Sequence, residues 1–444
     1  MAEIAAGVLT HRRVLKIAGP IVLSNATVPI LGAVDTGVVG QLGLAAPIGA
    51  VGIGAVILGL IYWIFGFLRM GTTGLVAQAR GARDDSETGA LLMRALMIGL
   101  AGGLVYVVFQ GVIFWAAFRL SPASPEVEAL ARSYLRIRIW GAPATIATYA
   151  IIGWLIGTER TPSVLALQLW VNGLNVVLDL WFVLDLGWGV PGVATATLIA
   201  EWTGLGFGLW LCRTAFHGDR WRNWARIFDA ARVRRMMAIN GDIMVRSVTI
   251  HLTFTVFLFL GARFGDVTLA ANQVLLQFLE ITAYGLDGFA FAAEALVGAA
   301  IGARQRAVLR RAALLTSVWG AGLSIPVGLG FWLGGPWLID LMATAPEVRT
   351  AGRTYLVWAA LSPVIGVAAW MLDGIFIGAT RTRDMRNMAL LSAAVHLVAL
   401  AVLVPAFGNH GLWAALMVSF VARGATLLWK YPGLEAEADT PRST

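Results

Sequence analysis

The string LVAQARGAR at residues 75 to 83 returns as LVGAAIGAR at 296 to 304, and two further blocks move with it in the same register. PEVEALARSYL (125 to 135) becomes PEVRTAGRTYL (346 to 356), and GWLIGTERT (153 to 161) becomes GIFIGATRT (374 to 382). In a chain of 444 residues this offset is half the length, so one structural unit is encoded twice. Any fold proposed for the chain therefore needs two equivalent lobes.

Composition decides the solvent those lobes face. Hydrophobic residues make up 58% of the chain and charged residues 13%, too few to cover a water-facing surface. A bilayer crossing takes roughly 20 apolar residues, and the first half offers six such runs: about 15 to 39, 47 to 72, 90 to 118, 131 to 156, 163 to 184 and 190 to 212. The second half offers six more, at about 236 to 260, 268 to 298, 309 to 334, 351 to 378, 386 to 407 and 411 to 430. Lipid cannot satisfy exposed backbone groups, so these runs predict helices. The expected fold is an all-α polytopic membrane protein with twelve transmembrane helices in two pseudo-symmetric six-helix lobes around a central cavity. Residues 1–215 make the first lobe, 216–235 a basic cytoplasmic linker, 236–430 the second lobe and 431–444 a disordered cytoplasmic tail.

Of the 33 Lys and Arg residues, 22 fall at the termini and the loops after the even-numbered spans, against 7 on the opposite side. That asymmetry predicts cytoplasmic termini. It also makes the net charge of +8 a topology signal instead of a nucleic-acid footprint. The stretch from Arg213 to Arg235 reads as a solvated tether beside anionic head groups. The single cysteine, Cys212, excludes an internal disulfide. The first apolar run is longer than a signal peptide and contains Pro20, Asn25, Pro29 and Asp35, which predicts an uncleaved span. A bacterial inner membrane is the expected location, the lipid bilayer the surrounding partner and a monomer the working unit, with no nucleic acid bound.

Two half-repeats in a membrane point to transport, and the chain limits its energy source. A phosphate-binding loop needs Lys followed by Ser or Thr, whereas Lys16 and Lys430 are followed by Ile17 and Tyr431. An ion gradient remains, worth about 2.3 kcal/mol per charge per 100 mV, and harvesting it takes ionisable groups inside the bilayer. At 1.5 Å per residue, Asp35, Asp179 and Thr197 fall roughly 6 to 11 Å from the outer boundary. Asn175 precedes Asp179 by one turn on the same face. These four make an oxygen-rich site for sodium or a shared proton, so the coupling ion is H+ or Na+ and no cofactor is expected.

Further acids stand elsewhere. Glu280, Asp287 and Glu294 recur every seven residues, Asp242 and Asp373 lie toward the cytoplasmic ends of their spans, and Glu201 sits in span 6 with Arg69 or Arg94 as candidate partners. Asp242 has Arg246 one turn away for an ion pair. The repeat mates of Asp35 and Asp179 are Val256 and Leu400, so the outer site is not duplicated. His396 occupies the repeat position of Asn175.

PIVLSNATVPILGAVDTGVVGQLG in span 1, FLRMGTTGLVAQARGA closing span 2, AYGLDGFAFAAEALVGAAIGA in span 8 and LDGIFIGATRTRDMRN around span 10 resemble the multidrug and toxic compound extrusion family, most closely its DNA-damage-inducible protein F branch. The resemblance covers nearly the whole chain. It implies export of cationic or lipophilic compounds against inward protons or sodium, with a first-lobe cation site matched here at Asp35, Asn175, Asp179 and Thr197. It also implies a first helix that bends at a proline, matched by Pro20, and in some branches a second-lobe carboxylate, to which Asp373 is nearest. The mid-helix acid of span 7 in those branches has no match, since Asp242 sits earlier.

Two other readings compete. A flippase for lipid-linked precursors would use similar lobes but needs a cationic cavity for pyrophosphate, whereas the candidates are acidic. A membrane-embedded enzyme needs a nucleophile or metal cluster, and His11, His217, His251, His396 and His410 form no ligand spacing.

Overall fold

The computed structural model describes residues 9–41, 44–120, 124–217 and 220–438, and its regular structure is helical throughout. In chain order the helices are α1 (His11–Ala26), α2 (Val28–Gly40), α3 (Ala45–Ile64), α4 (Gly66–Gly81), α5 (Asp85–Val108), α6 (Gln110–Leu120), α7 (Pro125–Arg138), α8 (Ala142–Gly157), α9 (Thr161–Asp179) and α10 (Gly189–Leu211). The short α11 (Trp224–Ile227) precedes α12 (Ala230–Gly261), α13 (Asp266–Gly302), α14 (Arg306–Met342), α15 (Pro346–Gly378) and α16 (Thr382–Glu437).

Among the described residues, nine helical stretches are long and apolar enough to cross a bilayer. The count reconciles with twelve. The last stretch, α16, holds 56 residues and breaks at Gly408 (φ 56°, ψ −131°), a conformation open only to glycine, so it carries spans 11 and 12. The other two are α1 with α2, interrupted at Thr27, and α10, whose Thr195, Thr197 and Glu201 dilute its apolar character. The protein is an all-α polytopic membrane protein.

The helices gather into two compact units. The first comprises Leu23–Val76 and Asp84–Met236; the second comprises the described parts of Met1–Val22, Ala77–Arg83 and Met237–Thr444. The repeat is legible in the backbone itself. Among the described residues, four that are not glycine adopt positive φ, and they form two pairs at the repeat offset: Arg83 (59°) with Arg304 (56°), and Glu159 (58°) with Thr380 (54°). Each ends a helix in the left-handed conformation that closes a C-terminus.

Within the second unit the repeated strings cross reciprocally. A methyl group on Gly81 would collide with the Ala299 carbonyl, and one on its repeat mate Gly302 would collide with the carbonyl of Gln78, the mate of Ala299. Gln78 Nε2 then donates to the Gly378 carbonyl (3.0 Å) and to Thr380 Oγ1 (3.1 Å), tying the crossing to the end of α15.

Two expectations need correction. The basic stretch after Arg213 is not a free tether in its described part: Ile227 is fully buried, and Arg94 donates to the Ile227 carbonyl at 2.9 Å. The cause is electrostatic. Asp84 caps α5 and Glu87 lies in its first turn, so Arg226 and Arg232 dock on this acidic helix start. The tail expected from residue 431 instead continues α16 to Glu437, held by Leu434 in the core and by Arg310 bonding Glu435 (2.7 Å). Residues 1–8, 218–219 and 439–444 of the expected segments lie outside the described residues.

Candidate functional site

The first unit brings Asp35, Asn175, Asp179 and Thr197 together. Asn175 and Asp179 are fully buried on one face of α9, and Thr197 of α10 is 7% exposed. Asn175 Nδ2 donates to Thr197 Oγ1 at 3.1 Å, and the Thr197 hydroxyl donates onward to the Val193 carbonyl at 2.9 Å. With its amide nitrogen committed to Thr197, Asn175 keeps Oδ1 buried and without a donor.

Asp35, on α2, faces Asp179 at the end of α9. Their carboxyl groups lie within hydrogen-bonding reach of each other, yet neither brings a donor unless it carries a proton. Asp35 Oδ1 and both Asp179 oxygens join Asn175 Oδ1 as buried acceptors without a partner. Four such oxygens are a strong departure from the rule that buried polar atoms are bonded. They are also the hard, donor-free set that a proton or a small hard cation satisfies.

Local backbone breaks surround the cluster. Asp179 is the last residue of α9, and the chain then winds into a π-helical segment, Leu180–Asp185; such segments concentrate at functional sites. On the other side α1 and α2 are separated at Thr27, two residues before Pro29 in the first turn of α2. Pro20, where a bend was expected, lies inside α1, and an interruption of the helix comes seven residues later at Thr27. Pro29 has no N–H to continue the ladder, and Thr27 bonds back to the Ser24 carbonyl through both its N–H (3.1 Å) and its hydroxyl (2.7 Å).

Asn172 was missed in the sequence and belongs here. Its amide donates to Thr27 Oγ1 at 2.9 Å, and Gln168 Nε2 donates to Asn172 Oδ1 at 3.2 Å. Gln168, Asn172, Asn175 and Asp179 thus form a polar stripe along α9, ending at the carboxyl pair and anchored to the α1–α2 break. Their 4-3-4 spacing is the signal that could have found it.

Glu201 has neither Arg69 nor Arg94 as its partner. Arg138, at the end of α7, donates to Glu201 at 2.6 Å, and both side chains are about nine-tenths buried. The approach depends on Gly141, where any side chain would strike the Glu201 carboxylate. Arg138 also acts electrostatically on Asp35 and Asp179. Arg94 is occupied by Glu87 (2.9 Å).

The second-unit acids are dispersed. Glu280 is exposed, Asp287 half-buried and Glu294 buried. Asp242 does not pair with Arg246: it binds Arg386 at 2.6 Å and accepts from the Thr382 hydroxyl at 3.1 Å. Arg246 instead pairs with Asp373, because the two meet across α12 and α15. His396, at the repeat position of Asn175, is buried with Nδ1 on the Ala415 carbonyl (3.0 Å).

The family model described as MatE matches residues 20–181 and 243–402. The chain is 37% identical over 425 residues to the DNA damage-inducible protein F of Escherichia coli, covering 93% of this chain and 90% of that protein. It is 27% identical over 446 residues to a probable multidrug resistance protein NorM of Deinococcus radiodurans, covering 95% and 94%. Among solved structures, an outward-facing multidrug resistance MATE family transporter of the MOP superfamily superposes with a TM-score of 0.88 at 19% identity, covering 97% of each chain. The Vibrio cholerae MATE transporter VcmN in its bent form gives 0.86 at 19% identity, covering 97% of this chain and 98% of that one.

Proposed function

Because the chain belongs to the MatE family, the multidrug and toxic compound extrusion transporters, we propose that it exports cationic or lipophilic compounds by alternating access in exchange for inward H+ or Na+, with Asp35, Asn175, Asp179 and Thr197 as the coupling site. One observation carries this reading: four buried oxygens from three side chains, none with a donor, meet in one unit. Two carboxyl groups in mutual reach cannot both stay ionised in a buried site without a cation or a shared proton.

The chemistry is competition for charge. With both carboxylates ionised the site attracts an amphipathic cation. An ion arriving from outside neutralises the pair, weakens its hold on the exported cation and removes the repulsion between α2 and α9. Thr27 and the π segment after Asp179 are where the backbone is already interrupted, so helix rearrangement there breaks the fewest hydrogen bonds. In this reading the protein works in a bacterial inner membrane as a monomer with cytoplasmic termini, needs no cofactor and leaves its substrate chemically unchanged.

Inverted vesicles containing the protein and a fluorescent organic cation test it, with proton and sodium gradients imposed separately. Uptake should follow one or both gradients and disappear in Asp35→Asn at equal expression. Full uptake by Asp35→Asn, or uptake indifferent to both gradients, removes the coupling role.

A further inference from the structure

The second unit holds a buried charge cluster of opposite sign. Arg246 of α12 pairs with Asp373 of α15, and Arg423 of α16 places its Nε 3.7 Å from the same Asp373 oxygen. Arg246 and Arg423 are close enough to act on each other. Two guanidinium groups thus share one carboxylate, which leaves a net positive charge. Asp242, one turn before Arg246 on α12, is already bound by Arg386.

Arg423 is only 8% exposed, and its Nε, like that of Arg246, has no hydrogen-bond partner. The Trp370 and Phe420 ring centroids stand 5.9 Å from its guanidinium carbon, at the outer limit of a cation–π contact. This offsets little of what a buried charge without a hydrogen bond at Nε costs.

Arg423 is among the residues lining a small, mainly apolar cavity of about 20 Å³, room for one water-sized group. Four hydroxyl-bearing residues line the same space: Thr249 and Thr253 from α12, Ser392 and Ser419 from α16. Each donates to a carbonyl of its own helix, a bond that rotation about χ1 exchanges for another acceptor. A surplus positive charge, unused N–H donors and rotatable hydroxyls around a one-group cavity complement a compact negative charge.

We propose that this cluster is an anion site, in which Arg423, Thr253, Ser392 and Ser419 take a small monovalent anion: chloride, or the carboxylate end of an organic acid. Asp373 then serves as the competing internal anion that limits affinity.

Thermal unfolding of the purified full-length protein in detergent reads the site directly, since it involves no gradient and no exported cation and its outcome leaves the first-unit coupling reading untouched. Sodium chloride and sodium acetate are titrated in separate arms against sodium sulfate at constant ionic strength, sulfate being divalent and strongly hydrated. A saturable rise in Tm is expected. A rise with chloride alone identifies a halide site, with acetate alone a carboxylate site, and with both a general monovalent site. Arg423→Gln should raise the half-saturating concentration at least about tenfold, the loss of a charge-assisted bond. Asp373→Asn should lower it, a direction that a merely structural role for Asp373 does not produce, and this arm stands even if Arg423→Gln fails to fold. No saturable response to either anion, an unchanged midpoint in Arg423→Gln, or a weaker response in Asp373→Asn overturns the proposal.

Discussion

In the first unit three buried or half-buried carboxyl groups, Asp35, Asp179 and Glu201, are set against one guanidinium, Arg138. In the second, two guanidiniums, Arg246 and Arg423, share the single carboxylate of Asp373. None of these charges has a counterpart at its repeat position. The mates of Asp35, Asp179, Arg138 and Glu201 are Val256, Leu400, Ala359 and Ala422, while those of Asp373, Arg246 and Arg423 are Ile152, Asn25 and Trp202. The backbone, by contrast, repeats down to its left-handed residues. Helix packing in lipid rests on small residues and close backbone approach, so both copies can retain the scaffold while their buried polar positions diverge to opposite sign.

The largest test of that divergence is Asp179→Asn. It should reduce resistance of cells to an organic cation to the level of cells without the transporter, at equal expression; retained resistance would put the coupling charge elsewhere. Glu201→Gln comes next. It strands Arg138 in a buried site and should cost about 3–5 kcal/mol of stability, measured by unfolding in detergent. Adding Arg138→Gln should recover most of that loss, and a double variant no better than the single one would dissolve the pair as a unit.

Gly81→Ala and Gly302→Ala probe the shared scaffold. Each should destabilise by about 1–3 kcal/mol through overpacking, and to a similar degree, because each meets the carbonyl of the other's repeat. Clearly unequal losses would mean that the crossing is not reciprocal in solution. Thr197→Val is the mildest change. Losing the acceptor for Asn175 should cost about 1 kcal/mol, seen as roughly a fivefold weaker response to the driving ion. The mate substitution Val418→Thr should leave that response unchanged.

Much of the site was legible before any coordinates. Asn175 and Asp179 share a face because four residues make one helical turn, and depth along a span follows from rise per residue, so their convergence with Asp35 and Thr197 could be read from spacing. Asn172 escaped notice although it obeys the same arithmetic. Its role shows only through Thr27, 145 positions away in the chain. Pro20 illustrates a different limit. A proline predicts weakness in a helix but not where a break falls: Pro20 lies inside α1, and the break comes at Thr27, shortly before Pro29.

Twofold repetition, helical spans and membrane setting follow from residue order alone, because apolar run length and backbone self-satisfaction in lipid are local constraints that leave one answer. The partners of the buried charges do not. Arg138 chose Glu201, Arg246 left its near neighbour Asp242 for Asp373, and Arg423 kept its Nε without a hydrogen bond. Coulomb attraction acts through space, so these pairings arise from which helices pack side by side, and chain proximity carries no record of them.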